Sequence, residues 1–415
     1  MRILNVSSLS PPNVIGGAEL GIRTIAEAMG EAGHDVHVVT LQPPAATNAP
    51  AAAQPTSVTV HPVPLANVYW PFVPGGAKHS AAGKLAWHSI DTANHVMARR
   101  VEKIVRRVQP DVVLTHNLQG FSTAVMPAIK RAGVPLVHVP HDYALLCPQT
   151  TLWRKGSGCG FRTERCTGCR ILTAPRQRHV DAADAVISVS QSLLDTHRLH
   201  RLFEDVPAKV IYNALRPQFQ IAEQVVARGD NEPFTFGYMG RVECSKGIET
   251  LLAAAAELEA RGANFRLRVA GRAAPDYLAT LQQRWPLKSV GYDGFVDAAE
   301  FLGEIDTLVF PSEWLEALGN GVFEAFSQGV PVIGADSGGI AESIDEDITG
   351  FVFEPGNVTQ LTDLMSRMLA APELRMQMGN DALRKSHEYR APHRAAEYID
   401  FLEAFLRHSV SGAAA

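Results

Sequence analysis

Several features that mark other classes of protein are scarce or missing in this 415-residue sequence. No apolar run approaches the roughly 20 residues that a membrane-spanning helix needs, and the N-terminus lacks the pattern of a secretion signal. Five cysteines are too few for a secreted disulfide scaffold, and a formal net charge of −5 gives no general attraction to nucleic acid. We therefore expect a cytoplasmic protein without a nucleic-acid partner.

The length and the order of apolar runs indicate two domains. One hydrophobic core seldom serves so long a chain. Short β-branched runs such as RILNVSS and DVVLTHN alternate with helical stretches over residues 1–213, and FTFGYMGRV opens a second such series over residues 214–390. This alternation predicts parallel sheets, whose ligands lie beyond the carboxyl ends of the strands. We predict two α/β domains and a C-terminal helix, at residues 391–415, that packs back towards the first domain.

The segment PSEWLEALGNGVFEAFSQGVPVI in the second domain contains a candidate phosphate site. It follows a predicted strand that ends near Phe310. Gly319, Asn320 and Gly321 allow the backbone to turn tightly and to approach a ligand. A helix is predicted from about Val322, and helix N-termini favour phosphate.

Two glutamates flank this turn. Glu316 precedes the turn and Glu324 lies in the opening turns of the helix, with seven residues between them. Carboxylates accept hydrogen bonds from hydroxyls, so the pair suits a ligand with hydroxyls on both sides of its phosphates, such as a sugar nucleotide. The alternative is that Glu316 is a solvated loop residue and that Glu324 is a helix N-terminal charge favoured by the dipole.

The spacing of Glu316, Gly319 and Glu324 resembles the Glu-x7-Glu signature of the family-4 glycosyltransferases, the glycosyl transferases group 1. In that family two Rossmann-like β/α/β domains face each other across a cleft, which is the GT-B architecture. The resemblance implies that Glu316 contacts the donor sugar, that Glu324 contacts the ribose, and that the backbone of residues 319–321 contacts sugar and phosphate. One departure is Ala317-Leu318, where the family commonly has Gly-Phe.

A basic pair supports the same reading. Arg241 and Lys246 lie around a predicted strand-to-helix junction in GYMGRVECSKGIETLL. The resemblance implies that they hold the donor diphosphate and stabilise the negative charge that grows as the sugar departs. The alternative is that both are surface residues of a loop.

The first domain supplies further candidates. Gly16 and Gly17 lie between the first strand and the first helix, but the dinucleotide-binding pattern Gly-x-Gly-x-x-Gly is absent. His141 and Asp142 follow a predicted strand in VPHDYALLCP. The resemblance places a histidine of this kind beside the donor hexose, so we predict that His141 positions substrate, with Asp142 and Asn213 as weaker candidates.

Four cysteines are clustered within 23 positions: Cys147, Cys159, Cys166 and Cys169. The terminal Cys-x-x-Cys has the spacing of a zinc knuckle. Structural zinc, thiols or a disulfide, and an iron–sulfur cluster are the alternatives that the spacing leaves open.

One predicted helix of the first domain is strongly basic. It could contact an anionic membrane surface peripherally, or it could simply be a solvated face. Its basic residues are Arg99, Arg100, Lys103, Arg106 and Arg107.

Taken together, the resemblance implies a retaining enzyme that transfers a hexose from a UDP- or GDP-linked donor to a saccharide or lipid-linked acceptor in polysaccharide or glycoconjugate biosynthesis. It implies no cofactor for catalysis. No covalent nucleophile stands out, so we expect a front-face displacement in which Arg241 and Lys246 are the electrostatic catalysts and His141 and Glu316 orient the sugar. The alternatives are a catalytically silent scaffold of the same architecture and a sugar-nucleotide epimerase.

Overall fold

The computed structural model describes residues 1–14, 16–44, 57–73, 79–154, 157–159, 166–226 and 232–412. The chain divides into two compact units. Unit 1 comprises Met1–Thr150, Arg162–Ala214 and Ala391–Ala415, and unit 2 comprises Thr151–Phe161 and Leu215–Arg390.

The secondary structure alternates between strands and helices along the chain. The strands are β1 Arg2–Val6, β2 Asp35–Gln42, β3 Val58–Pro64, β4 Val112–Thr115, β5 Leu136–His138, β6 Trp153–Arg154, β7 Ser157–Gly158, β8 Ala185–Ser188, β9 Ala208–Val210, β10 Phe234–Met239, β11 Phe265–Ala270, β12 Val290–Gly294, β13 Thr307–Phe310, β14 Val332–Ala335 and β15 Gly350–Phe353.

The α-helices are α1 Gly17–Glu31, α2 Ala81–Thr92, α3 His95–Val108, α4 Val125–Arg131, α5 Thr167–Gln177, α6 Gln191–Leu199, α7 Ile248–Ala260, α8 Pro275–Arg284, α9 Ala298–Gly303, α10 Asn320–Ser327, α11 Gly339–Ser343, α12 Val358–Ala370, α13 Pro372–Ser386 and α14 Ala391–Gly412. Short 3-10 helices span Val180–Ala182, Cys244–Lys246 and His387–Tyr389.

Several helices begin at residues that cap their N-terminal amides. Ser80 accepts a hydrogen bond from the amide three residues on at the start of α2, and Asn94 and Ser190 do the same for α3 and α6. Asp297 and Asn357 cap α9 and α12. Each such cap contributes about 1 kcal/mol and sets the residue at which the helix starts.

Unit 1 contains a parallel sheet in the order β3-β2-β1-β4-β5-β8-β9. Strands β4, β5 and β8 are buried along their whole length, as expected for a parallel sheet covered on both faces. The strand order reverses between β1 and β4, and parallel sheets bind ligands at the carboxyl ends of such neighbouring strands. Helix α14 packs against α1 within this unit.

Unit 2 contains a second parallel sheet, in the order β12-β11-β10-β13-β14-β15. Its order reverses between β10 and β13, which places a second ligand-binding edge there. The core packs α7 and α12 on the sheet, with fully buried side chains that include Phe236, Leu251, Ile333, Phe351 and Met365.

These two sheets confirm the predicted α/β class with two Rossmann-like domains. Within the part of the chain that the structure describes, no helix combines the length and the apolar character needed to cross a membrane.

Candidate active site

The loops that follow β10 and β13 approach each other closely in unit 2. Gly247 ends the short helix after β10 with a φ of 69°. A Cβ atom built there would lie 1.7 Å from the carbonyl oxygen of Pro311, which directly follows β13. No other residue fits this position, so the glycine permits the contact that places Lys246 beside the loop carrying Glu316.

The carboxylate of Glu316 is held by two donors. Lys246 Nζ lies 2.5 Å from Glu316 Oε1, and Ser312 Oγ donates to the same oxygen at 2.8 Å. Lys246 Nζ also lies 4.4 Å from the centre of the Trp314 ring, within cation–π range. Glu316 is only 7% exposed. Lys246 and Glu316 therefore form an ordered, largely desolvated ion pair before any ligand binds.

The backbone of Glu316 is fixed by the start of α11. The amide of Gly339 donates to the Glu316 carbonyl oxygen at 2.9 Å. Gly338 has a φ of 65°, and a Cβ atom there would lie 2.1 Å from that oxygen. The position of Glu316 thus depends on a glycine that follows the next strand, β14.

Helix α10 begins two residues earlier than predicted. Its first residue is Asn320, not Val322, and the N-cap is Gly319, which has no side chain to occupy the first amides. A Cβ atom at Gly321 would lie 2.8 Å from the Phe310 ring at the end of β13. The glycines therefore allow α10 to start close to β13. The residues predicted to form a turn before the helix, 319–321, are instead its N-cap and its first two residues.

Glu324 lies in α10 and is 3% exposed. Its Oε1 accepts a hydrogen bond from Arg216 Nε at 2.7 Å, and the guanidinium of Arg216 also lies 4.9 Å from the Phe219 ring. Burial raises the pKa of the Glu324 carboxyl, while Arg216 opposes that rise. No pattern in the sequence marks Arg216 as a site residue.

Arg241 follows β10, and its backbone is held in place while its side chain is exposed. Tyr238 Oη donates to the Arg241 carbonyl oxygen at 2.6 Å. The guanidinium is 63% exposed and contacts Glu243 at 3.1 Å. An exposed pair of this kind contributes little to stability, so the guanidinium can change partner at small cost.

In unit 1, three side chains form a hydrogen-bonded relay. Asn5 Nδ2 donates to the carbonyl oxygen of His37, which leaves Asn5 Oδ1 as the acceptor 3.0 Å from His116 Nε2. His116 Nδ1 in turn lies 3.0 Å from His141 Nε2. Burial lowers the pKa of His116 well below its usual value and that of His141 to about 4. Both rings are therefore neutral at pH 7.

The relay fixes the tautomer of His141. Because Asn5 Oδ1 can only accept, His116 must donate from Nε2 and accept at Nδ1. His141 then donates from Nε2, and its Nδ1 carries a lone pair. That Nδ1 is buried without a hydrogen-bond partner among the described residues. Neither Asn5 nor His116 was identified from the sequence.

Asp142, Gly16 and Gly17 are further residues of unit 1 that the sequence singled out. Asp142 Oδ1 accepts from the Ala144 amide at 2.8 Å, and burial raises the pKa of its carboxyl to about 6. Gly16 is the N-cap of α1, and its amide donates to Glu19 at 2.9 Å. This cap makes Gly17 the first helical residue and not part of the preceding loop.

Asn213 is buried and packs against α1. A Cβ atom at Gly21 would lie 3.4 Å from its side-chain carbon. Asn213 and His141 also line a small cavity of about 10 Å³ together with Asn5 and His116.

A larger cavity of about 210 Å³ lies in unit 1. His141 and Asp142 line it, as do Asp91 of α2 and Arg176 of α5, which sequence reasoning missed. Asp91 is 3% exposed, and its pKa is raised to about 6, chiefly by burial.

Three of the four clustered cysteines come together in unit 1. Burial, together with hydrogen bonds to the thiols of Cys166 and Cys147, raises the pKa of Cys169 to about 12. Cys159 belongs to the segment of unit 2 at Thr151–Phe161, and residues 160–165 lie outside the described residues. Among the described residues, no group of three or more His, Cys, Asp or Glu side chains is placed to hold a metal ion. The zinc site stays a prediction.

The basic helix predicted in the first domain is α3, and several of its cations have partners. Arg106 pairs with Glu102 at 2.9 Å, Arg107 Nη2 lies 3.2 Å from His61 Nδ1, and Arg100 donates to the Pro64 carbonyl. Of these partners only Glu102 carries a compensating negative charge, and membrane contact stays a prediction.

Comparison with known proteins matches both halves of the chain. Residues 15–219 match the model described as Glycosyltransferase Family 4, and residues 220–385 match Glycosyl transferases group 1. The chain is 27% identical to the alpha-D-kanosaminyltransferase of Streptomyces kanamyceticus, over 91% of this chain and 94% of that protein.

Solved structures of similar fold cover nearly the whole chain. Sucrose-phosphate synthase from Thermosynechococcus elongatus superposes with a TM-score of 0.74 at 18% identity, covering 98% of this chain and 99% of that one. HepE from Anabaena, solved in complex with UDP, gives a TM-score of 0.69 at 19% identity, covering 97% of this chain and 100% of that one.

Proposed function

Because the chain belongs to the family-4, group 1 glycosyltransferases and is a GT-B enzyme that transfers sugar, we propose that it moves a hexose from a UDP- or GDP-linked donor to a saccharide or lipid-linked acceptor with retention of configuration. The observation that carries this proposal is the Glu316–Lys246 pair beside the N-terminus of α10. A hydroxyl-binding carboxylate, a cation and helix amides together suit the sugar and diphosphate of a nucleotide sugar.

In this mechanism the donor diphosphate binds the N-terminal amides of α10 together with Arg241 and Lys246. Lys246 has three N–H donors, and Glu316 uses one of them, so others can bind phosphate oxygens. Glu316 accepts hydroxyls of the donor sugar, and Glu324 accepts those of the ribose. The solved UDP complex of HepE supports a nucleotide donor.

The chemical step is a front-face displacement. The bond from the anomeric carbon to the diphosphate oxygen breaks, the acceptor oxygen bonds to that carbon from the same face, and the acceptor proton passes to the departing diphosphate. Arg241 and Lys246 stabilise the charge on the leaving group, which such sites do by roughly 3 to 4 kcal/mol for each donor. His141 positions a substrate hydroxyl with the lone pair on Nδ1.

A donor screen tests this proposal. Incubation with UDP- and GDP-linked hexoses should produce slow donor hydrolysis, and the matching nucleoside diphosphate should raise the melting temperature, since a ligand at 100 times its dissociation constant stabilises the native state by about 2.7 kcal/mol. Absence of both hydrolysis and nucleotide binding would favour a silent scaffold. Formation of an epimerised sugar nucleotide without transfer would favour the epimerase.

The remaining parts of the proposal concern location and metal. We place the reaction in the cytoplasm, with the basic face of α3 at the inner membrane surface when the acceptor is lipid-linked. Structural zinc is proposed for the clustered cysteines, and elemental analysis of protein purified without chelator should find it. Metal-free protein that is folded and active would contradict the zinc proposal.

A further inference from the structure

The cavity of about 210 Å³ in unit 1 lies where a parallel sheet binds its ligand. Its lining includes Ser8 after β1, Asn117 after β4 and Pro140 after β5. These positions follow the carboxyl ends of three adjacent strands, at the reversal of strand order. The cavity also has an aromatic wall at Phe72, and a mixture of apolar surface and a few polar groups is typical of a small-molecule site.

The charged groups that line this cavity are mostly acidic. Among its described lining residues the acids are Glu19, Asp91 and Asp142, and the cation is Arg176. Histidines add no positive charge at neutral pH, because burial lowers their pKa, to about 3 for His138. The pKa values of His88, His116 and His141 are lowered for the same reason. The cavity is therefore negative at pH 7.

The one cation in this lining already has partners. Arg176 Nη2 lies 3.7 Å from Asp91 Oδ2, and Nη1 donates to the Ala144 carbonyl oxygen at 3.4 Å. Asp91 Oδ1 also accepts from the Gly120 amide at 2.6 Å, which holds the carboxylate in place. An incoming anion would have to compete with Asp91 for the guanidinium and would face uncompensated carboxylates. A hydrogen-bond donor would meet acceptors.

A second observation points to a ligand that donates hydrogen bonds. His141 lines the cavity, and its Nδ1 is a buried acceptor without a partner among the described residues. The relay through His116 keeps that nitrogen unprotonated. Carboxylate and imidazole acceptors around one cavity match the hydroxyl or ammonium groups of a sugar.

We infer that this cavity is the acceptor site and that it takes a sugar unit bearing hydroxyl or amino groups but no phosphate or carboxylate. Asp91 and Asp142 accept hydrogen bonds from the sugar, and Phe72 contacts its apolar face. A lipid-linked acceptor must then keep its phosphate outside the cavity. This inference rests on the proposed glycosyltransferase function and specifies its acceptor.

A matched series of acceptors tests the inference. The probes are methyl glucoside, its 6-amino-6-deoxy derivative, the corresponding 6-carboxylate (methyl glucuronide) and the 6-phosphate, each supplied at high concentration with the donor that the enzyme hydrolyses. Nucleotide release should rise above donor hydrolysis with the neutral and amino sugars, and kcat/KM for these should exceed that for either anion by at least about tenfold. Preference for an anionic sugar, or no response to any of the four, would overturn the inference.

The outcomes separate this inference from the proposed function. A protein that neither binds nor hydrolyses any donor has lost the proposed function itself. A protein that hydrolyses its donor but ignores all four sugars, or prefers the anions, has an acceptor site of another kind.

Two variants locate the discrimination in the cavity. Asp91→Asn and Asp142→Asn each keep the oxygen that accepts from a backbone amide and remove one charge. In each, the ratio of neutral to anionic kcat/KM should fall severalfold. Asp195→Asn removes the same charge from an exposed position of α6 and should leave that ratio unchanged. If all three variants changed this ratio equally, the charge of the cavity would not determine which acceptor is used.

Discussion

The ion pair between Lys246 and Glu316 allows structure and catalysis to be separated by a double-mutant cycle. Lys246→Met keeps the aliphatic stem against Trp314 but removes the ammonium, and Glu316→Gln keeps the shape of the side chain but removes its charge. Both side chains are largely buried, with exposures of 15% and 9%. Each single change therefore leaves one nearly desolvated charge without its partner.

The expected cost follows from that burial. Removing one partner of a buried ion pair costs about 3 to 5 kcal/mol, and the residual exposure of Lys246 favours the lower end. At about 2 to 4 °C per kcal/mol for a domain of this size, Lys246→Met should lower the melting temperature by about 6 to 12 °C. The double variant removes both charges and should recover most of this loss, with a coupling of about 2 to 3 kcal/mol.

Calorimetry on the four proteins measures the coupling, and donor turnover is measured on the same samples. Turnover should fall by about 10² or more in all three variants, because restored stability does not restore the charges that meet the donor. The exposed pair Arg261–Glu257 in the same unit is the control, since Arg261→Met with Glu257→Gln should change stability by less than about 1 kcal/mol. A double variant no more stable than the worse single one, or one that regains turnover, would refute the reasoning.

Three further changes have definite expectations. Burial raises the pKa of Asp91 to about 6, so its ionisation destabilises the native state as pH rises from about 4 to 6; Asp91→Asn should be more stable than wild type by up to about 3 kcal/mol at pH 7 in urea unfolding, with the gap closing below pH 4. Gly338→Ala should lower both donor turnover and melting temperature, because its Cβ would displace the Glu316 carbonyl, whereas Gly303→Ala meets no atom within 4 Å and should be tolerated. Nitrogen NMR should show that His141 keeps its Nε2–H tautomer in His116→Gln, because the glutamine amide can still accept from His141 and donate to Asn5. His141 should lose this preference in His116→Phe.

Local patterns in the sequence predicted the fold class, and they singled out the segment between β13 and α10 as a candidate site. The alternation of β-branched runs and helices is set by side-chain periodicity, so it is readable without tertiary contacts. The spacing of Glu316 and Glu324 along the chain is likewise readable from the sequence, but the position of Glu316 also depends on its contact with the segment at Gly338 and Gly339 after β14. The start of α10 was misplaced because the approach of Gly321 to the Phe310 ring is a packing contact.

The partners of these residues could not be predicted from local patterns. Arg216 and Glu324 are 108 positions apart, and Asn5 and His116 are 111 apart. Asn5 and His116 meet because β1 and β4 are neighbours in the sheet, and Arg216 meets Glu324 because the folded chain brings residue 216 to α10. Nothing in the composition around Arg216 marks it as a site residue. Asp91 of α2 was missed for the same reason, since only the folded unit places it beside Arg176.

The pairing in unit 2 also determines where positive charge for a diphosphate comes from. Lys246 is balanced by Glu316 and Arg216 is balanced by Glu324, so each of these pairs is close to neutral before a ligand arrives. A donor diphosphate carries negative charge of its own, and a neutral pair attracts it little over distance. In the proposed mechanism, the net attraction comes from the N-terminal end of α10, where no side chain caps the helix, and from Arg241, whose exposed pair with Glu243 can be exchanged for phosphate at small cost. Under the proposed function, we therefore expect Arg241 and α10 to attract and hold the phosphates, and Lys246 to act at short range, where its remaining N–H groups can stabilise the charge that develops on the leaving oxygen.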